Sequence, residues 1–398
     1  MASLNLLFVH EVSYEKKPIF EMHEFPEHLA ARGHKVTFLQ FDEGYKFWRG
    51  KRQPTEKTIP GRVLPETSIK IVTPHQFGIP GLDRIYATLS VWPELVRLLK
   101  NEKFDAIVLY AVPTYGHQVI QLAKKYGVPV IFRALDVSHL IRKSLLSPLI
   151  KSAEKYVYQH ADVLSANNPA MAEYCQALGT RAEGTVVNLP PLDISHFAKA
   201  LTDATLQKEL GLKLTDAVIT YLGTFFHFSG LDVVIREFAE QAGQHPNTKI
   251  LLIGGGEQDK KLRDLVSQFK LEKRVIFTGF IPYAKLSGYL GLTTVSINPM
   301  KPGMVSHTAF PHKVIQYMAS GLPVVTTKLD GLYKTFGDTS GLTWSVDSEG
   351  LIGKALALAE DETKLEENSR LQLKTVSTKF GIDSAVEAFE STIRSATK

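Results

Sequence analysis

Four segments in the second half of the chain have residue types and spacing that could bind a ligand. They are YLGTFFHFSGLDVVI at 221–235, LLIGGGEQDKKL at 251–262, VIFTGFIPYAKLSGYL at 275–290 and TAFPHKVIQYMASGLPVV at 308–325. In the first segment a strand pattern ends at Gly223 and a helix pattern starts near Gly230. Backbone N–H groups in such loops and at helix N-termini bind anions, but this segment alone is a weak signal and a plain turn is the favoured alternative for it.

The fourth segment has the strongest pattern. Its helix is predicted to begin near Pro311, so the amides of 307–312 should face a ligand beyond the strand ends. Lys313 would lie in the first helical turn, where the helix dipole disfavours a cation. A bound phosphate would resolve that conflict.

The other two segments predict close contact with a ligand, and the second of them with a flat one. Gly254 and Gly255 allow an approach that a side chain would block. Phe280, Ile281 and Pro282 could cover a nucleobase, and core packing is the alternative for them. The chain has no G-x-G-x-x-G fingerprint followed by the acidic residue that NAD recognition needs, which disfavours a dehydrogenase.

The elements that would position these residues are short apolar strands alternating with helical patterns. Because the strands are apolar on both faces, they predict parallel sheets covered by helices. The predicted strands are NLLFVH, KVTFLQF, SIKIVTP, AIVLYAV, PVIFRAL, DVLSAN, TVVNLP, AVITYLG, KILLIGG, RVIFTGF, VSINPM and PVVTTKL. The turn-rich NLPPLDISHF separates two such series.

This organisation predicts an α/β protein with two Rossmann-like, doubly wound parallel-sheet domains that face each other across an interdomain cleft. Residues 1–195 would form the first domain and residues 205–375 the second. Residues 376–398 would form a C-terminal helix that packs back toward the first domain.

Composition and charge exclude several classes of protein. The 44% hydrophobic and 22% charged residues are typical of a globular protein, and no apolar run is long enough to span a bilayer. The net charge of +5 lies entirely in residues 1–200, which hold 24 Lys+Arg and 19 Asp+Glu. This modest excess favours a phosphate-bearing or membrane-surface partner over nucleic acid.

The amphipathic basic stretch at 141–158 fits either a surface helix or peripheral membrane contact. The N-terminus lacks a secretory pattern, so we expect a cytoplasmic protein, associated in one alternative with the inner face of the membrane.

In their order and spacing, the segments LAARGHKVTFL, YLGT…SGLDVVI, LLIGGGE, RVIFTGFIP and YMASGLPVV resemble GT-B glycosyltransferases, most closely the retaining family 4. The resemblance implies a nucleotide-sugar donor on the second domain, an acceptor on the first, and transfer in the cleft with no metal and no cofactor. Together with the segments described above, it leads us to assign donor binding to twelve residues, namely Gly223, Thr224, Gly254, Gly255, Phe280, Ile281, His307, Thr308, Ala309, Phe310, Lys313 and Gln316.

The chain departs from that family at four positions. Thr224 and Ser229 stand where the family has an Arg and a Lys that neutralise the diphosphate, and Thr308 and Gln316 stand where it has paired glutamates. The string FPHKVIQYMASG matches a subset of the family except at Gln316. We therefore expect Lys313 and loop amides to hold much of the diphosphate.

Strand ends in the first half supply candidates for the acceptor site. They are His10 and Glu11, Tyr115 and His117, and Arg133 and Asp136. His10, Glu11, Tyr115 and Arg133 are assigned to acceptor binding, while His117, Asp136 and Lys313 are the candidate catalytic residues. Helix capping is the alternative role for His117 and Asp136.

The resulting hypothesis is a retaining hexosyltransferase that moves a hexose, best guessed from UDP-glucose, to a glycan or lipid-linked acceptor in polysaccharide biosynthesis. Two alternatives stay open. One is a UDP-sugar 2-epimerase on the same fold, and the other is a non-catalytic scaffold that binds nucleotide sugars.

Overall fold

The computed structural model describes residues 2–42, 51–77, 82–110, 112–141, 146–198 and 203–397. They form two compact units. The first comprises Met1–Pro191 and Asp383–Lys398, and the second is Leu192–Ile382. Part of the basic stretch at 141–158, residues 142–145, lies outside the described residues.

The first unit is an α/β structure up to Pro191. Its elements are β1 (Asn5–Val9), α1 (Glu21–Ala31), β2 (Lys35–Leu39), β3 (Lys51–Arg52), β4 (Thr55–Pro60), β5 (Ser68–Thr73), β6 (Gln76–Phe77), α2 (Asp83–Asn101), β7 (Ala106–Leu109), α3 (Gly116–Tyr126), β8 (Val130–Ala134), α4 (Ser138–Ile141), α5 (Ser147–His160), β9 (Val163–Ala166), α6 (Pro169–Ala177) and β10 (Thr185–Val187).

Most strands of this unit join one sheet. In its described part the order is β10-β9-β8-β7-β1-β2-β5-β4, and every neighbouring pair is parallel except β4 with β5. Strands β7 and β8 are buried along their whole length, which is the pattern expected when helices cover both faces of a sheet. The register places Phe8 of β1 beside Phe38 of β2 and Val108 of β7.

The second unit repeats the same alternation. Its elements are α7 (Ile194–Phe197), α8 (Ala204–Glu209), β11 (Ala217–Leu222), α9 (Leu231–Gln241), β12 (Thr248–Ile253), α10 (Asp259–Gln268), β13 (Val275–Gly279), α11 (Leu286–Leu290), β14 (Val295–Asn298), α12 (Met304–Thr308), α13 (His312–Ala319), β15 (Val324–Thr327), α14 (Asp330–Phe336), β16 (Thr343–Ser345), α15 (Leu351–Ala359) and α16 (Glu362–Lys379). Over the residues described, its sheet is entirely parallel, in the order β13-β12-β11-β14-β15-β16.

The last helix, α17 (Ile382–Ala396), belongs to the first unit almost entirely. The ring of Phe389 packs on that of Phe25 in α1, with centroids 4.3 Å apart. Arg32 Nη1 lies 3.1 Å from Glu390 Oε2, so an ion pair adds to the apolar contact.

The prediction of two parallel-sheet α/β domains is confirmed. Each of the twelve predicted runs contains a strand. Gly127 and Gly321 follow α3 and α13 with φ of 67° and 66°, the left-handed conformation in which glycine commonly ends a helix. The antiparallel strand β4 was not predicted, because its sequence TEKTIP is polar and largely exposed. No helix in the described ranges is long and apolar enough to cross a membrane.

Candidate functional site

The carboxyl ends of β11, β12 and β13 meet at three glycines in the second unit. The N–H of Gly254 donates to the carbonyl of Gly279 at 3.0 Å, and the N–H of Gly223 donates to that of Ile253 at 2.9 Å. A methyl group on Gly254 would lie 2.1 Å from the carbonyl oxygen of Gly223. The strand ends can approach this closely only because they carry no side chains.

Lys313 brings a positive charge to these strand ends. Its Nζ lies 3.8 Å from the centroid of the Tyr221 ring and would be 3.1 Å from a methyl group on Gly223. Among the described residues no carboxylate lies within 4.0 Å of it, and burial lowers the pKa of this lysine to about 7. Lys313 is therefore an amine held at a partly desolvated position without a carboxylate partner among the described residues, and an anionic ligand there would favour its charged form.

The main-chain donors near Lys313 differ from those predicted. The short helix α12 precedes α13 and uses the N–H groups of His307 and Ala309, which donate to the carbonyls of Gly303 at 2.8 Å and Val305 at 3.1 Å. Helix α13 begins at His312 with Pro311 as its N-cap. The N–H of Lys313 lies in the first turn and has no acceptor within the helix. The available donors thus lie at the start of α13 and not around 307–309.

Two side chains of the predicted donor site have structural roles. Thr308 Oγ1 donates to the carbonyl of Met304 at 3.0 Å, within α12. The buried ring of Phe310 stacks on Phe336 and Phe380, with centroids 6.0 and 5.6 Å apart. Only the main chain of Phe310 could contact a ligand at the strand ends.

The remaining predicted donor residues lie around the same edge of the sheet. Phe280 is 74% exposed, and its ring would lie 3.2 Å from a methyl group on Gly255. Ile281 instead packs against the core cluster that contains Leu212. The carbonyl of Thr224 accepts a hydrogen bond from the Tyr221 hydroxyl at 3.0 Å. Gln316 is half-buried and follows Lys313 by three residues on α13, so both side chains share one helix face.

His307 has a partner that the sequence did not reveal. Its Nδ1 lies 3.3 Å from Asp330 Oδ1, at the start of α14. The two residues are 23 positions apart, and only the folding of β15 between α12 and α14 brings them together.

A separate cavity lies at the carboxyl ends of β1, β7 and β8 in the first unit. Its volume is about 290 Å³. The lining residues are His10, Glu11, Val12, Lys17, Phe20, Tyr110, Val112, Pro113, Phe132, Arg133, Leu135, Asp136 and Ser138. The cavity therefore brings together four of the six residues proposed for the first half.

His10 and Asp136 are two of these four. The His10 ring stacks on Tyr110 with centroids 5.1 Å apart. The Asp136 side chain has exposed surface but lies within the concave cavity, where desolvation, followed by the charge of Glu21, raises its pKa to about 6.

Glu11 and Arg133 are held by other protein groups. The Glu11 carboxylate accepts hydrogen bonds from the N–H of Thr114 at 2.6 Å and of Tyr115 at 3.2 Å, which fixes the loop before α3. The buried Arg133 guanidinium donates to both carboxylate oxygens of Glu21 at 2.7 Å. Their placement at strand ends was predicted, but their side chains stabilise the wall of the cavity.

Tyr115 and His117 do not line this cavity. Tyr115 is fully buried in the hydrophobic core. His117 is exposed in the first turn of α3, and its ring packs on Tyr156 of α5 with centroids 4.4 Å apart. Their distance along the chain from the end of β7 was compatible with a site, but the direction of each side chain depends on how α3 packs.

Lys17, Tyr110 and Ser138 line the cavity and were not predicted. Tyr110 directly follows β7 and could have been found by the same strand-end reasoning. Lys17 lies between β1 and α1, in the segment HEVSYEKKPIF, whose path has no simple sequence pattern.

Models of two protein families match the chain, and together they span most of it. Residues 202–376 match glycosyl transferases group 1, and residues 22–190 match the glycosyl transferase 4-like domain. Among curated proteins, N-acetyl-alpha-D-glucosaminyl L-malate synthase of Bacillus anthracis is 21% identical over 92% of this chain and 91% of its own length. Alpha-monoglucosyldiacylglycerol synthase of Acholeplasma laidlawii is also 21% identical, over 78% of this chain and 76% of its own.

Solved structures share the whole fold. Sucrose-phosphate synthase from Thermosynechococcus elongatus superimposes with a TM-score of 0.79 at 17% identity, covering 98% of both chains. Anabaena HepE in complex with UDP and glucose gives a TM-score of 0.73 at 18% identity, covering 98% of this chain and all of HepE. With both domain families matched in order on two parallel-sheet units, the chain belongs to the glycosyltransferases of the GT-B fold.

Proposed function

We propose that this glycosyltransferase is a retaining hexosyltransferase, with the nucleotide-sugar donor on its second unit and the acceptor on its first. The best candidate for the donor is UDP-glucose. The observation that carries the proposal is Lys313, a cation without a carboxylate partner among the described residues, beside Gly223 at the end of β11. A diphosphate at this position would supply the missing negative charge.

Donor binding would use two chemically different groups. Lys313 and the first-turn amide of α13 suit the diphosphate, because a charge-assisted hydrogen bond is stronger than a neutral one. The exposed ring of Phe280 beside Gly255 offers an apolar face for the base. The choice of UDP is supported by HepE, a structural neighbour solved with UDP and with UDP-glucose.

The chemistry needs stabilisation of the leaving group more than a nucleophile. Cleavage of the anomeric C–O bond leaves negative charge on the nucleoside diphosphate, and prearranged donors stabilise such charge best. In the proposed retaining reaction, the acceptor hydroxyl attacks the face from which the diphosphate departs, and a phosphate oxygen takes the hydroxyl proton. Lys313 provides the positive charge in this scheme, so a metal ion is not required.

The acceptor would bind in the first-unit cavity. Asp136 and His10 are polar and line this cavity, so each could form a hydrogen bond with an acceptor hydroxyl. The two curated relatives described above are named as synthases of a malate and of a diacylglycerol product, so their names do not indicate one class of acceptor. We propose a glycan or lipid-linked acceptor in polysaccharide biosynthesis, used by a cytoplasmic enzyme at the inner face of the membrane.

Calorimetry with UDP, GDP and ADP, followed by a panel of labelled nucleotide sugars, tests this function. We expect the protein to bind UDP most tightly and to release UDP slowly from UDP-glucose even without acceptor. Tight UDP binding without turnover of any donor would instead favour a scaffold. Formation of an epimerised nucleotide sugar would identify a 2-epimerase.

Replacing Gln316 with alanine should weaken the binding of UDP and of uridine equally, by about five- to tenfold. The reason is that a neutral hydrogen bond to ribose contributes about 1 kcal/mol. Gln316→Glu should raise the affinity for both ligands a few-fold, since a carboxylate accepts a stronger hydrogen bond from a ribose hydroxyl. Gln268→Ala, at the exposed end of α10, serves as the control and should change neither affinity. A loss confined to UDP would assign Gln316 to the diphosphate.

A further inference from the structure

One helix of the first unit exposes an apolar stripe. Four large side chains of α2 and its N-cap, at positions that repeat every three and four residues, point away from the core. They are Leu82, Ile85, Leu89 and Trp92, exposed by 52%, 54%, 71% and 39%. The opposite face of the same helix, with Val91 and Leu95, is already buried in the core. A stripe of this size on a soluble surface is typical of an interaction site.

A second apolar group lies at the start of α5. Leu146 and Leu149 are 52% and 67% exposed. The segment that contains them follows Asp136 and Ser138, which line the proposed acceptor cavity.

Helix α3 lies between the two apolar groups. Gln118 in its first turn donates a hydrogen bond to the carbonyl of Thr88 in α2 at 2.9 Å, and His117 packs on Tyr156 in α5. Because a helix rises about 1.5 Å per residue, Leu149 is about 10 Å along α5 from Tyr156, toward the N-terminus. Ile85 likewise precedes Thr88. The first turns of α2 and α5 therefore extend beyond the start of α3, at the sheet edge where the cavity opens.

The charge on this helix layer is positive. Helices α3 and α5 carry the exposed lysines Lys124, Lys125, Lys151 and Lys155, and among the described residues no carboxylate pairs with them. The one acidic residue on these two helices, Glu154, is buried 2.6 Å from His139. Apolar side chains flanked by exposed lysines match a bilayer with anionic headgroups, into which the apolar groups insert while the lysines remain at the headgroups.

We propose that the apolar stripe of α2, the first turn of α5 and these lysines form a docking surface for an anionic lipid bilayer. Given the proposed function, the acceptor is then a lipid or lipid-linked glycan that enters the first-unit cavity from the membrane. The docking surface itself is independent of the donor chosen above.

Co-sedimentation of the full chain with phosphatidylcholine vesicles, with and without phosphatidylglycerol, tests the proposal. We expect binding to the anionic vesicles only, weakening as salt is added. Leu89→Glu and Leu149→Glu should each reduce this binding at least about tenfold, because a charge replaces an inserted apolar group. Lys151→Gln combined with Lys155→Gln should reduce binding and its salt dependence. The control is Leu214→Glu, which changes an 89% exposed leucine of the second unit and should bind like the unmodified protein.

Circular dichroism and thermal unfolding of each variant check that the first unit, which carries the substitutions, is folded. The proposal is overturned if the unmodified chain does not bind anionic vesicles, or if Leu89→Glu binds as well as Leu214→Glu. Light scattering that shows a dimer dissociated by Leu89→Glu, with no vesicle binding, would assign the stripe to self-association instead. Vesicle binding with no UDP binding would leave the docking surface intact and reject the proposed function.

Discussion

Replacing Lys313 with alanine is expected to weaken UDP binding by about 30- to 100-fold, while uridine binding changes little. Loss of one hydrogen bond to a charged group costs about 2–3 kcal/mol, and uridine has no phosphate to lose. Lys328→Ala is a matched control, because its Nζ also lies over a tyrosine ring, 3.7 Å from the centroid of Tyr333. Calorimetry with both ligands gives the four affinities, and an equal loss for UDP and uridine would place Lys313 away from the phosphates.

The pH dependence of UDP binding provides a second measurement on Lys313. Burial lowers its pKa to about 7 in the unliganded protein, so the amine is largely neutral at pH 8. A bound diphosphate favours the ammonium and raises that pKa, so binding at pH 8 should take up a proton. UDP affinity should therefore fall as the pH rises above 7. Calorimetry in buffers of different ionisation enthalpy measures the uptake, which should vanish in Lys313→Ala.

The same pKa shift predicts how the stability of the unliganded protein depends on pH. In the unfolded chain the lysine keeps its proton up to about pH 10.5, whereas the folded protein loses it near pH 7. Between these values the unfolded state binds more protons, so this residue makes the folded state more stable as the pH rises.

Gly254→Ala is expected to lower the free energy of unfolding by about 3–5 kcal/mol and to abolish UDP binding. The new methyl group would lie 2.1 Å from the carbonyl oxygen of Gly223, and the residue has φ of 129°. The overlap and the unfavourable backbone conformation each cost about 1–3 kcal/mol. Separation of the ends of β11 and β12 would also displace the turn beside Lys313.

Gly127→Ala separates these two effects. Gly127 has φ of 67°, but a methyl group there would meet no atom within 4 Å, so only the cost of the backbone conformation, about 1 kcal/mol, is expected. Thermal unfolding of both variants, with and without UDP, gives the comparison. Equal destabilisation by the two substitutions would mean that the contact between Gly254 and Gly223 is not tight.

The fold was predictable because parallel strands buried on both faces leave long apolar runs that differ clearly from the helices between them. The polar edge strand β4 lacks that signal, since its exposed residues are not selected for burial. Strand ends were predictable for the same reason, and this placed His10 and Asp136 at one cavity.

Side-chain direction and pairing could not be predicted. Tyr115 and His117 both follow β7, yet one is in the core and the other is on the surface, because the packing of α3 decides their orientation. Glu21 is 112 residues from Arg133, and no local pattern indicates that the two form a buried ion pair. The helix α12, which uses amides assigned to a ligand, is only five residues long and has no periodic signal.

The position of α17 affects the order in which the protein can fold during synthesis. The second unit is one continuous stretch, Leu192–Ile382, whereas the first needs Asp383–Lys398 as well as Met1–Pro191. Phe25 of α1 lacks its partner Phe389 until the ribosome has translated the entire second unit. The nascent first unit thus exposes an apolar surface while the second unit is translated, and a chaperone that holds emerging chains would find its binding site there.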